Sequence, residues 1–346
     1  MAPSASTAAE PSLVSPPSRP TISPRAVLIH AHGRSGSTLL LDILRHDPQA
    51  WASYEPLQEV RQLPPPHLLP PHLAGRCRDG AAEQPTLASK CPHRDASLLL
   101  SLLACDSLPL LAAWYAEYDL SAAAGGYLPH AAAYGAAFTL TSDRPALAAE
   151  RAALYARDAS ACAGASLRVV KTIRLNGQLA RLYNLSASPP PLVLHLVRDL
   201  KSVYLSRKAL AAPFGLPSAA SLEAWARAMC AATRRDMAAG ARRPRGQYEL
   251  LNFTHLVRFP RSTVERIYRR HLRRPVPPAV RAYLEAHFEP PANGTDATAW
   301  QFQFGTAPRD VEALSHAWRL RLDEWEVRAI NAGCARERAG RHAGLA

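Results

Sequence analysis

The chain has 346 residues and is 48% hydrophobic, enough to bury a substantial core in one domain with insertions. Its 41 basic and 28 acidic residues leave a net charge of +13, which favours anionic partners. The six cysteines, at 77, 91, 105, 162, 230 and 334, form no CxxC pair and have no histidine spacing suited to zinc, and no run of about 20 apolar residues exists to span a membrane.

Residues 1–25 are rich in Pro, Ser and Ala and read as a disordered segment. The apolar run Ala26–Ala31 predicts a buried strand, and Thr38–Leu44 a helix. A short second strand is expected around Glu55, beside Tyr54 and Pro56. From Gln62 to about Gly164 the pattern is hard to read. Pro64-Pro65-Pro66 and Pro70-Pro71 argue for an irregular loop, Leu98–Ala104 and Leu110–Tyr115 look helical, and Ser121–Ala137 reads as an Ala- and Gly-rich surface insertion. Leu167–Lys171 and Leu192–Val197 are further candidate strands, and Ser262–Leu272 and Asp323–Ala332 read as helices with exposed arginines. Strands interleaved with helices predict an α/β fold. Its core is a P-loop-like central parallel sheet flanked by helices, in one domain over 26–334 with a tail at 335–346.

Two segments carry the chemistry. The first, Gly33-Arg34-Ser35-Gly36-Ser37-Thr38, stands between the first strand and its helix. Strand, Gly-rich turn, helix is the arrangement that aims backbone N–H groups and a helix N-terminus at an anion. It is not a nucleoside-triphosphate loop of the Gly-x4-Gly-Lys type: the glycines are too close and the cation, Arg34, precedes the second one. The second segment follows Leu192–Val197 and places Arg198 at the strand end with Ser206 eight positions later. Two anion sites at two strand ends suit one ligand with phosphates at two places, such as a nucleotide phosphorylated on both sides of its ribose.

Together with their surroundings these segments resemble the Golgi carbohydrate sulfotransferases that act on the 6-hydroxyl of galactose, N-acetylgalactosamine or N-acetylglucosamine. Glu55-Pro56-Leu57, Val170-Lys171-Thr172-Ile173-Arg174, His195-Leu196-Val197-Arg198-Asp199, Tyr248-Glu249-Leu250-Leu251, Thr306 with Arg309, Ala317-Trp318-Arg319 and Cys334 follow in the family's order. Departures mark a divergent member: Leu200 follows Arg198-Asp199 where Pro is usual, and Leu250 replaces an Asp.

The resemblance implies a sulfotransferase fold and transfer of a sulfuryl group from 3′-phosphoadenosine 5′-phosphosulfate (PAPS) to a glycan or glycosaminoglycan, in the Golgi lumen and without a metal. It implies that Gly33, Arg34, Ser35, Gly36, Ser37 and Thr38 hold the 5′-phosphosulfate, that Arg198 and Ser206 hold the 3′-phosphate, and that Arg309 closes over the nucleotide. Glu55 is the expected base, with Glu59 as fallback, and Lys171 and Arg34 the expected catalytic cations. Arg174 is left between donor and acceptor, His30 is expected to pack within its strand, and Trp318 is placed in the core. The three sequons at Asn184, Asn252 and Asn293 fit a lumenal address. The family's usual membrane anchor has no counterpart here. A non-catalytic relative that binds nucleotide or anionic glycan, a tyrosylprotein sulfotransferase-like enzyme and a nucleotide kinase-like phosphotransferase are the competing readings.

Overall fold

The computed structural model describes residues 25–54, 92–106, 159–185, 190–208, 218–288 and 316–339. Glu55, Glu59, Arg309, the Pro-rich segment after Gln62, the Ser121–Ala137 stretch, Cys77, Cys91 and the Asn293 sequon lie outside them.

Five strands form one sheet: β1 (Arg25–Ala31), β2 (Ala50–Tyr54), β3 (Leu167–Thr172), β4 (Leu192–Val197) and β5 (Tyr248–Asn252). Their order is β2-β3-β1-β4-β5, and every pairing is parallel. β1 and β4 are apolar over most of their length, and β3 at Leu167, Val169 and Val170, because helices cover both faces of the sheet. Val27, Ile29 and Ala31 of β1 join Leu192, Leu194 and Leu196 of β4 in one core. That core is closed by α1 (Ser37–Arg45), the short α6 (Phe253–Arg258), α7 (Pro260–Ile267) with a π-helical turn at Tyr268–Leu272, and α8 (Pro278–Phe288). Leu28, Val170 and Val193 face the other side, toward α2 (Pro92–Ala104) and α3 (Leu179–Leu185).

α4 (Leu200–Lys208) leaves the end of β4, with Asp199 Oδ1 accepting the Lys201 amide at 2.9 Å as its cap. The long α5 (Ala219–Ala241) is capped by Ser218, whose hydroxyl accepts the Ser221 amide. A short α9 (Trp318–Arg321) and the final α10 (Glu324–Ala339) complete the described chain. α10 is fastened twice. Cys230 of α5 is bonded to Cys334 of α10, and the fully buried Glu326 receives Tyr204 Oη at 3.0 Å and Lys208 Nζ at 2.8 Å from α4. A second disulfide joins Cys105 to Cys162.

The three apolar runs, the short second strand and the first helix agree with the sequence reading. The predicted helix over Ser262–Leu272 is broken into α7 and the π-helical turn, and the last helix runs to Ala339. Trp318 is a correction: it lies half-buried at the surface with the Lys201 ammonium 4.7 Å from its ring centroid, where the sequence reading placed it in the core. Among the described residues no helix is long and apolar enough to cross a membrane.

Candidate functional site

β1 ends at Ala31, and residues 32–36 turn the chain sharply into α1. Arg34 takes φ +72°, a left-handed conformation that a residue with a Cβ adopts only at a cost, and Gly36 takes φ +87° at the N-cap. A Cβ on Gly36 would meet the Phe253 ring at 2.2 Å, so glycine is required there by both conformation and space. No carboxylate occupies the first turn of α1. The Ser35 hydroxyl is buried without a hydrogen-bond partner, an orphan acceptor and donor inside the turn. Ser37 is buried and Thr38 half-buried.

Three guanidinium groups gather around this turn. Arg34 Nε donates to Ser206 Oγ at 2.9 Å, which ties the loop to the last turn of α4. Arg198 Nη1 donates to the Arg34 carbonyl at 3.1 Å, and its guanidinium lies 4.5 Å from the Phe253 ring centroid. Arg207 reaches back over the loop, with Nη2 at 3.3 Å from where a Gly33 Cβ would stand. Burial, then the neighbouring Arg34, lowers the Arg198 pKa to about 10, and the same two causes lower that of Arg207. Like charges crowded in a partly dry site repel each other and favour an anion between them. The sequence reading paired Arg198 with Ser206 and both with the loop, and the fold brings these together. It passed over Arg207, whose one available signal was its place beside Ser206.

Lys171 is buried at the end of β3, its ammonium 4.1 Å from the Tyr54 ring centroid, and Tyr54 is its register partner on β2. Glu55 is the residue that follows Tyr54. Arg174 stands in the loop after β3, its amide donating to Thr172 Oγ1 at 3.1 Å.

Beneath the turn lies a polar cluster that sequence reasoning missed apart from its packed histidine. His30 and His195 are register partners on β1 and β4, with ring centroids 4.7 Å apart. Asp236 from α5 accepts from His30 Nε2 at 2.8 Å and from the Gly177 and Leu179 amides at 2.7 and 2.9 Å. Burial opposes its charge, but His30 and these donors hold the carboxyl below the usual range. His195 Nδ1 pairs with the Tyr248 hydroxyl at 2.9 Å. These three side chains are the group of metal-ligating type found among the described residues, yet the carboxylate already serves three donors. The arrangement therefore clamps the loop after β3 to β1, the strand that leads into the turn at residues 33–36.

His32 completes this support, with Nε2 at 2.6 Å from Thr233 Oγ1. Burial first, then the charges of His30 and Arg207, push its pKa down to about 3 from 6.5. Between those values the unfolded chain holds a proton that the folded site refuses, so stability falls as pH falls through this window. Asp236 acts in the same direction below about pH 4, the ordinary aspartate value. His32→Gln is expected to remove on the order of 3 kcal/mol of the stability lost on acidification. Urea unfolding at a series of pH values between neutral and mildly acid measures it. An unchanged pH profile would show that His32 is not kept neutral in the fold.

No curated protein matches the sequence. Among solved structures, the sulfotransferase domain from the curacin biosynthetic pathway is 16% identical, with TM-score 0.43, over 89% of this chain and 96% of that one. The sulfotransferase domain from the Synechococcus PCC 7002 olefin synthase is 18% identical, with TM-score 0.42, over 90% and 96%. Sulfotransferase STF1 from Mycobacterium tuberculosis H37Rv is 18% identical, with TM-score 0.37, over 77% and 72%. Residues 25–277 match a family model described as Sulfotransferase family. Because that segment is most of the chain, and runs from the start of β1 past the π-helical turn with every arginine of the cluster inside it, the chain belongs to the sulfotransferase family.

Proposed function

We propose that the protein transfers a sulfuryl group from PAPS to a sugar hydroxyl of a glycan, at the 6-position of galactose, N-acetylgalactosamine or N-acetylglucosamine, in the Golgi lumen. The observation that supports a doubly phosphorylated donor is the convergence of Arg34, Arg198 and Arg207 on one left-handed turn at a helix N-terminus. Two disulfides among the described residues fit an oxidising compartment. The sugar acceptor, its 6-position and the lumenal address rest on the resemblance of the sequence blocks.

In this reading the amides of Gly36, Ser37 and Thr38, at the start of α1, receive the 5′-phosphate. Arg34 stabilises the charge that grows on the bridging oxygen as the S–O bond breaks, which lowers the transition state more than the ground state. Arg198 and Ser206 hold the 3′-phosphate and so orient the donor for in-line attack. Lys171, at the end of β3, is assigned to the sulfonate or the leaving oxygen. Glu55 takes the proton of the attacking hydroxyl. Arg309 is assigned to closure over the nucleotide.

The test is transfer of radiolabelled sulfate from PAPS to a panel of desulfated keratan, chondroitin and N-acetylglucosamine-terminated glycans, with ATP as rival donor. Sulfate on one glycan is the expected result. Binding of the product 3′-phosphoadenosine 5′-phosphate (PAP) without transfer to any glycan would overturn the acceptor. Absence of PAP binding by the folded protein would overturn the donor.

A further inference from the structure

The donor loop occupies one end of the sheet, and the opposite end is unusually basic. Six arginines stand there. Arg25 opens β1, Arg242, Arg243 and Arg245 lie in the turn between α5 and β5, and Arg273 and Arg274 follow the π-helical turn. The other described segments at that end, 46–49, 105–106, 165–166 and 190–191, supply two carboxylates: Asp106, exposed after Cys105 beside the start of β3, and Asp47. Asp47 is buried and already engaged by Arg274 and by the Tyr268 hydroxyl. Asp106 balances one charge at most, so six arginines against two carboxylates leave these segments strongly positive.

The two basic segments are joined through Arg25. Its Nη2 donates to the Gly246 carbonyl at 2.8 Å, next to Arg245, and the charge of Arg273 acts on its guanidinium. Arg25 Nε and Arg243 Nε are buried without hydrogen-bond partners, and Arg243 is held 4.3 Å from the Tyr183 ring centroid. Arg242, Arg245 and Arg273 are exposed. Half-buried arginines fixed by packing, ringed by exposed ones, make a preorganised cationic surface, and the guanidinium fork matches sulfate and carboxylate oxygens. The length of β1 sets this surface about 20 Å from the donor loop.

We propose that this end of the sheet is a second anion site, which binds an acidic glycan chain through its sulfate or carboxylate groups. The choice of a glycan among polyanions rests on the sugar acceptor proposed above. The site retains a polymeric acceptor or product through a stretch remote from the reacting sugar. It therefore affects the affinity for long chains and leaves the transfer step on short ones untouched.

A size-defined heparin oligosaccharide is the probe, titrated calorimetrically into the full chain at about 0.15 M salt, where weak surface attraction is screened. The wild type is expected to bind, and Arg245→Ala with Arg273→Ala to weaken binding about tenfold or more, the loss of two charge-assisted contacts. Arg242→Ala with Arg245→Ala is an independent pair on an exposed turn, expected to act in the same direction. PAP affinity, measured on the same samples, should stay at the wild-type value and reports an intact fold. Heparin binding that is unchanged in both pairs would overturn the site. Tighter binding to phosphatidylserine vesicles or single-stranded DNA than to heparin would overturn the glycan as occupant. If the wild type fails to bind PAP while heparin binding persists and depends on these arginines, the donor reading falls and this one stands.

Discussion

Gly36→Ala is expected to abolish measurable PAP binding, a loss of at least about 100-fold, and to destabilise the fold by roughly 2–4 kcal/mol. The new methyl group would stand 2.2 Å from Phe253 Cε2 on a residue whose φ of +87° already disfavours any side chain. Neither strain has an easy outlet. Phe253 is buried in the core and also underlies the Arg198 guanidinium, so a ring that moves away takes the support of Arg198 with it. Gly33→Ala is the matched comparison. Its Cβ would meet Ile173 Cδ1 at 3.2 Å and Arg207 Nη2 at 3.3 Å, the movable ends of two long side chains. Calorimetric PAP binding and thermal melts of the two variants measure the contrast. Equal affinity for PAP in Gly36→Ala and wild type would remove the turn from the donor site.

Arg198→Ala and Glu55→Gln are expected to fail in different ways. Arg198 binds the Arg34 carbonyl and is one of three cations at the turn, so its removal frees the loop backbone, and on the proposed donor reading it also deletes a phosphate contact. PAP affinity should fall about 100-fold, the scale of one or two charge-assisted hydrogen bonds. Glu55→Gln keeps shape but not basicity. It should leave PAP affinity unchanged and lower kcat by about 100- to 10,000-fold, the range of a general base. Titration calorimetry together with single-turnover transfer separates the two. Equal loss of PAP binding in both variants would undo the division of roles, and full turnover by Glu55→Gln would require another base.

Legibility in the sequence followed from how locally each feature is specified. β1 and β4 stand out because helices on both sheet faces demand apolar residues at nearly every position, and β3 does so through Val169 and Val170 at its centre. The turn before α1 stands out because a left-handed N-cap needs glycine, and glycines between a strand and a helix are conspicuous. α5 was invisible, since its Ala-rich 23 residues show weak periodicity and its arginines are scattered around the helix. Its signal was the Ser218 cap. Asp236 was equally hidden. In Arg234-Arg235-Asp236 it looks like a surface charge, and only the packing of α5 on the sheet brings it to His30, 206 positions away. Arg207 and the basic end of the sheet belong with Asp236: their meaning lies in long-range neighbours that no local window contains.

The double fastening of α10 has a consequence for the order in which the protein is made. The loop, Ser206 and Arg207 leave the ribosome long before Glu326 and Cys334 exist to steady them. Until then Lys208 and Tyr204 lack their shared carboxylate, and the α5 surface around Leu222 and Ala226 lacks its cover from Ala329 and Ile330. The half of the fold that carries the arginine-rich turn is thus written early and finished last. During synthesis its exposed apolar face must be shielded from other nascent chains, and closure of the Cys230–Cys334 bridge marks the point at which the last helix has arrived.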